Sequence, residues 1–258
     1  MDNIMQNRDF MKCPDFKNPM AISDQTKGVK HPPHDLGLKN KAILLPAFDN
    51  KDIIINADYN KLLDTRRSVR TYDTDAPMTK EQLAYVLWSV GGIQFFRDPN
   101  QVSALRPTPS GGCRHPFNIY IAVKDVEGLE PGLYHHLPTE NISEKRTTIQ
   151  KLKEIEDYSQ NITKAFASQA WTADAPVVLF ITCSPYRSEW RYVTAAHRVM
   201  LIDLGHLGQN AMLSAVALGL DSCCLAAYNQ ECCDKLLSVD GIDEYMVYGI
   251  SIGKALKK

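Results

Sequence analysis

The run Val177-Val178-Leu179-Phe180-Ile181-Thr182-Cys183 contains no charge and no alternation of polar with apolar residues. It constrains the fold more than any other stretch. Alternation marks a strand with one wet face, whereas an unbroken apolar run of this length, introduced here by Pro176, marks a strand covered on both faces. Such a strand needs an apolar layer on each side of its sheet, and the sequence supplies candidates. Thr79-Lys80-Glu81-Gln82 is a capping box ahead of Leu83, Val86, Leu87 and Val90, which predicts a helix over 80–91 ended by Gly91-Gly92. The polar stretch from there to Gly112 reads as loop. Residues 145–170 read as helical, and a pattern from about 189 to 218 reads as one long helix, or two in succession, stopped by Gly219. A short helix follows over 230–237. The remaining strands are Asn118–Val123 with a short antiparallel partner at Gly132–His135, then Ser222–Ala226 and Tyr245–Ile252. Strands and helices are intermixed, with helices covering a central sheet, so the expected class is α+β. The dinucleotide fingerprint G-x-G-x-x-G is absent, which argues against a standard Rossmann site.

Residues 1–58 differ from the rest. They hold Pro14, Pro19, Pro32, Pro33 and Pro46 with little sustained periodicity, and read as an extended N-terminal arm ahead of a domain over 59–258. Ala42–Leu45 and Ile53–Ile55 are sticky enough to pack along the folded body or a partner subunit. With 29 basic and 30 acidic residues and a formal charge of −1, no global field draws the chain to nucleic acid or an anionic membrane. No apolar run is long enough to span a bilayer, and the first thirty residues lack the order of a secretory signal. Seven cysteines, an odd number without an export signal, imply reduced thiols and a cytoplasmic setting. Cys223-Cys224 and Cys232-Cys233 lack the spacing of structural zinc sites, and His31, His34, His135 and His136 lack ligand-like partners, so no metal site is expected.

Three stretches can carry chemistry. Arg66-Arg67-Ser68-Val69-Arg70 offers three guanidiniums and a hydroxyl, a phosphate clamp or a solvated basic strip. Arg106 to Phe117 holds Pro109-Ser110-Gly111-Gly112, a rigid turn whose bare backbone can lie against a flat ligand, or a surface loop shaped by proline and glycine. Cys113 and His115 lack an orienting carboxylate for nucleophilic catalysis. In Asp203 to Asn210, the residues Asp203, His206 and Asn210 share one helical face, turned to a cofactor or to solvent. Gly205 and Gly208 favour close approach by another backbone or a ligand.

In this order the three stretches resemble the FMN-dependent nitroreductase superfamily, and within it the SagB/ThcOx-type dehydrogenases. Further carriers are Gly128-Leu129 with Pro131-Gly132-Leu133-Tyr134, Ala173-Asp174-Ala175-Pro176-Val177-Val178, and Gly219-Leu220-Asp221-Ser222-Cys223. The resemblance spans about residues 60–254. It implies the nitroreductase-like fold, a central mainly antiparallel sheet covered by helices, in a homodimer with FMN at the subunit interface. By position Arg66 and Ser68 match phosphate contacts, with Arg67 in the same segment, and Arg70 matches the basic residue near the flavin pyrimidine. Pro109, Ser110 and Gly111 match the loop along the isoalloxazine from the other subunit. Ala226 and Ala227 match the backbone facing N5, and Gln209 and Asn210 a polar pair in the long helix. Cys113 stands where typical members carry asparagine. The chain stops shortly after the last strand, so Lys254, Lys257 or Lys258 would supply the C-terminal phosphate contact. Members that oxidise azolines carry a Lys-Tyr pair where this chain has Arg191-Tyr192, and arginine makes a poor general base. With Arg70, that pair is the candidate catalytic set. The implied activity is two-electron transfer through FMN between NAD(P)H and a quinone, nitroaromatic or similar acceptor. The alternatives are SagB-type oxidation of a heterocycle in peptide maturation, a non-catalytic FMN-binding subunit, and, outside the family, a cysteine-based metal or thiol redox protein.

Overall fold

The computed structural model describes residues 2–256, so Lys257 and Lys258 lie outside the described residues. In chain order the elements are helices α1 (Asp2–Phe10) and α2 (Lys17–Ala21), strand β1 (Ala42–Ala47), helices α3 (Tyr59–Thr65) and α4 (Lys80–Gly91), a ribbon of β2 (Phe95–Phe96) and β3 (Ala104–Leu105), strands β4 (Phe117–Val123), β5 (Gly132–Leu137) and β6 (Arg146–Lys153), helix α5 (Tyr158–Ala165), strand β7 (Val177–Cys183), helices α6 (Tyr186–Tyr192) and α7 (Ala196–Ala217), strand β8 (Asp221–Leu225), helix α8 (Gln230–Leu237) and strand β9 (Tyr245–Gly253). Seven strands form one sheet in the order β1-β6-β5-β4-β7-β9-β8, and every neighbouring pair is antiparallel.

Strand β7 lies inside this sheet with all seven residues buried. Its side chains divide by the two-residue period. Val177, Leu179 and Ile181 join the cluster that contains Leu83 and Leu87 of α4 and Leu204, Leu207, Ala211 and Ala215 of α7. Val178 and Phe180 join Ile162 and Ala165 of α5 and Cys233 and Leu237 of α8 on the opposite face. Each large apolar side chain buried in this way contributes about 1.5–3 kcal/mol. The unbroken apolar run is therefore one strand serving two cores.

Helix α4 begins at the expected capping box: Gln82 N donates to Thr79 Oγ1 at 3.1 Å and Thr79 N donates to Gln82 Oε1 at 2.9 Å. The stretch from 189 to 218 is two helices. The break is at Val193, whose φ of 48° is a left-handed conformation that β-branched residues avoid; a single 3-10 turn, Val193–Ala195, then feeds α7.

Residues 145–170 depart from expectation. Ile149, Leu152 and Ile155 repeat every three residues and mimic a helical stripe, but Arg146–Lys153 is β6, paired with β5 on one side and β1 on the other. The β-branched Thr147-Thr148-Ile149 suits that role, and only α5 and the 3-10 turn Ala170–Asp174 are helical. The loop before Gly112 also carries the ribbon β2–β3. Within residues 1–58, β1 forms the sheet edge with Leu45 fully buried, and Ile55 N donates to Ala217 O at the end of α7. Among the described residues no helix is long and apolar enough to cross a membrane.

Candidate functional site

The residues singled out from the sequence fall into two groups, and helix α7 touches both. The first is a ledge beside β8. Helix α3, capped by Asp58 Oδ1 accepting from Asn60 N and Lys61 N, ends at Thr65. The chain then runs alongside β8, where Val69 N donates to Ser222 O and Ser68 bridges Ser222 in parallel. It next pairs with the segment after β9: Asp73 N donates to Lys254 O and Leu256 N to Thr71 O. Tyr72 anchors this arrangement from below, its hydroxyl 2.8 Å from Ser251 Oγ, and burial raises its pKa.

The ledge is electrostatically unfinished. Among the described residues no carboxylate forms an ion pair with Arg66, Arg67 or Arg70. Among the described residues, the Arg66 side chain hydrogen-bonds only to Met212 Sδ of α7, at 3.9 Å. Arg70 lies 5.8 Å from the Trp171 ring centroid and donates to Ser68 O at 3.5 Å. Arg67 is different. Its Nη1 donates to Asp64 O at 2.8 Å and Arg66 O at 2.7 Å, capping the end of α3. Two guanidiniums with free donors beside the exposed Ser68 form a donor set that fits a phosphate monoester. Ala226 and Ala227 follow β8 and are exposed; Gln169 Nε2 donates to Ala227 O at 3.2 Å, which places the segment preceding Trp171 against them.

The second group is built on the loop from Thr108 to His115. Asn210 Nδ2 of α7 donates to Thr108 Oγ1 at 3.2 Å and to Ser89 O at 3.0 Å. Two turns earlier on α7, buried Asp203 receives the Ser110 hydroxyl at 2.6 Å and Gly111 N at 3.0 Å on Oδ2, with Gly111 N 3.2 Å from Oδ1. Burial raises the Asp203 pKa, against the hydrogen bonds that lower it. His115 N donates to Ser110 Oγ. Gly112 has a φ of 61°, and a Cβ there would stand 2.5 Å from Tyr192 Oη and 2.9 Å from Arg191 Cδ. The bare backbone is what lets the Arg191-Tyr192 pair of α6 pack against the loop. Arg191 Nη1 also donates to Gln25 Oε1 at 2.9 Å, and Phe16 sets its ring edge-on to Tyr192 at 6.0 Å.

Other expectations resolve differently. His115 is engaged with Ala104 O through Nε2 at 3.0 Å, and burial, then Arg106, pushes its pKa down to about 2, so it is not set up as a base for Cys113. His206 is exposed, while Asp203 and Asn210 turn inward; Gln209 is half-buried. Gly208 is needed by Tyr248, whose Cε1 would lie 2.9 Å from an added Cβ, but Gly205 faces open space. Among the described residues no cluster of three metal-ligating groups occurs. Trp171, Gln169, Gln25 and Phe16 were not legible beforehand, because each reaches its group from a distant part of the chain. The anchoring role of Asp203 was visible only as membership of a polar stripe.

Comparison with known proteins bears on the fold and the family. The model of the nitroreductase family matches residues 63–254. "Putative nitroreductase MJ1384" of Methanocaldococcus jannaschii is 29% identical over 196 residues, covering 76% of this chain and 90% of that protein. The microcin B17-processing protein McbC of Escherichia coli is 21% identical, covering 76% of this chain and 73% of that protein. Among solved structures, a "putative nitroreductase in complex with FMN" from Exiguobacterium sibiricum superposes with a TM-score of 0.54 at 16% identity, covering 78% of this chain and 90% of that one. The chain spans 46% of the length of a larger solved relative from Anabaena variabilis, with a TM-score of 0.66 at 21% identity and 90% of this chain covered.

Proposed function

The chain belongs to the nitroreductase family, and from that premise we propose that it is an FMN-dependent oxidoreductase working as a homodimer. The observation that carries this reading is the ledge of Arg66, Ser68 and Arg70, two guanidiniums and a hydroxyl held in place by β8 and lacking an anionic partner among the described residues. Arg66 and Ser68 would hold the phosphate, with Lys254 close by on the neighbouring segment. When bound there, FMN supplies two-electron hydride transfer. Arg70 would set a fixed positive charge at the ring, stabilising its anionic reduced form. Ala226 and Ala227 would offer backbone to the ring edge, and Gln209 a polar contact from α7.

The second group completes the site from the other subunit. Met212, which touches Arg66, stands nine residues beyond Asp203, which holds Ser110, or about 13 Å along the helix axis. A two-fold axis beside α7 would set the Pro109–Gly111 loop of one copy against the ledge of the other. Leu201 and Ile202 on α7 are 56% and 45% exposed, an apolar face that such a dimer would cover. NAD(P)H and a quinone, nitroaromatic or similar acceptor would take turns at the open face.

A second reading is heterocycle oxidation in peptide maturation. Tyr192 favours it, packed against Gly112 of the loop that would face the flavin, as does the similarity to McbC. A guanidinium is a poor general base, so Arg191 would stabilise an anion and leave proton removal to Tyr192. The test is the visible spectrum of the purified protein, then anaerobic mixing with NADH or NADPH. A yellow protein that bleaches is expected. A yellow protein that neither nucleotide bleaches excludes the reductase version, and a colourless protein that takes up no FMN excludes both.

A further inference from the structure

Ser110 is the one side chain of Pro109–Gly111 with a proton to donate to a ligand, yet that proton is already committed. The hydroxyl donates to Asp203 Oδ2 at 2.6 Å and accepts from His115 N at 2.9 Å. Gly111 N, the next donor, also points to the Asp203 carboxylate. A hydroxyl has one donor and two acceptor sites, so Ser110 retains one lone pair and nothing to donate. An ionised carboxylate accepts only, and here it takes two donors from consecutive residues while Asp203 as a residue is 4% exposed. Cys113 and His115 have φ of 57° and 45°, a region that such residues adopt only where surrounding contacts impose it. The far end of the loop is fixed by Asn210 of the same helix through Thr108.

We propose that Asp203 is a positioning residue for the redox site: it draws the Ser110 hydroxyl and the Gly111 N–H inward, so that the Pro109–Gly111 loop meets the cofactor with backbone and ring surface and without side-chain donors. This rests on the reading of that loop as a flavin wall. The consequence is that Pro109–Gly111 would bring no side-chain donor to the ring, leaving the polar influence on its reduction to the guanidiniums, Arg70 on the ledge and Arg191 packed against Gly112. Charge-assisted hydrogen bonds such as these are among the stronger ones, and freeing them would let the Ser110 O–H turn outward to the ring.

The test uses the full-length protein loaded with FMN, in wild-type form and as Asp203→Ala, Ser110→Ala, Ser110→Thr and the Asp203→Ala/Ser110→Ala pair. Three quantities are measured: FMN affinity by fluorescence titration, the midpoint potential, and the flavin absorption band. Asp203→Ala should weaken FMN binding roughly tenfold and shift both band and potential. Ser110→Thr, which keeps the hydroxyl, should behave as wild type. The double variant should lose FMN no more readily than Asp203→Ala alone, since both changes remove one interaction, and its potential should return towards wild type because no hydroxyl is left to turn outward. Equal potentials in wild type and Asp203→Ala, or additive losses of affinity, would overturn the proposal. If Asp203→Ala does not fold, Ser110→Ala decides: its band should stay at wild type, since no hydroxyl is left to turn outward, and an affinity identical to wild type would overturn the proposal. Failure of the wild type to bind FMN would instead be seen without any variant, and would remove the functional reading together with this inference.

Discussion

At the scale of single residues, neighbours of like type do unlike work. Arg67 and Arg70 are both exposed arginines in one pentapeptide, but Arg67 caps two carbonyls at the end of α3 and Arg70 leans over Trp171 with donors to spare. Arg70→Ala should slow anaerobic flavin reduction by at least about tenfold, equivalent to ~1.4 kcal/mol of barrier. Arg67→Ala should leave reduction near wild type and lower stability by about 0.5 kcal/mol through the lost cap. Stopped-flow bleaching of the two variants separates these outcomes, and equal rates would refute the division of labour. Buried histidines set the acid limit. Burial, foremost, holds His34 and His135 down to about 4 and His136 to about 3, so the folded state keeps them neutral while the unfolded chain takes up protons near 6.5. Depressed folded values mean stability that is present above pH 6.5 and drains away as pH falls towards 4, by up to about 1.4 kcal/mol per pH unit for each histidine. Urea melts between pH 7 and pH 4 should show this decline, and a flat profile would contradict it.

At the scale of elements, what the sequence revealed depended on whether the deciding forces were local. Helix α4 is legible because its capping box and glycine stop are written in adjacent residues, and β7 because two-sided burial leaves no room for polar residues. Thr79→Ala should therefore cost about 1 kcal/mol in a thermal or urea melt without affecting flavin. Strand β6 was misread because its apolar spacing fits a helix, and only its pairing with β5 and β1, the latter some hundred residues earlier, decides otherwise. The same limit applies to the site. The arginine ledge and the Pro109–Gly111 turn stand out as sequence, whereas Trp171 beneath Arg70 and Gln25 on Arg191 carry no local mark. Asp203 lay between these cases: its place on a polar helical face was readable, but its engagement with a loop over ninety residues earlier was not.

At the scale of the molecule, one helix ties the sheet to both groups of the proposed site. With Leu201 and Ile202 uncovered on α7, Leu201→Glu/Ile202→Glu should yield a folded monomer that releases FMN, as measured by light scattering and flavin fluorescence. A dimer persisting with full flavin would argue against this face as the interface. The separation of the two groups along α7 also has a genetic reading. If each site draws its ledge from one copy and its loop from the other, then Arg70→Ala and Asp203→Ala damage different contributions. Mixing the two crippled proteins and letting subunits exchange would restore one sound site in every mixed pair, roughly a quarter of all sites after random reassortment. Two impaired alleles would complement each other, so a strain carrying both would behave as a partial revertant, although neither gene had recovered its missing side chain.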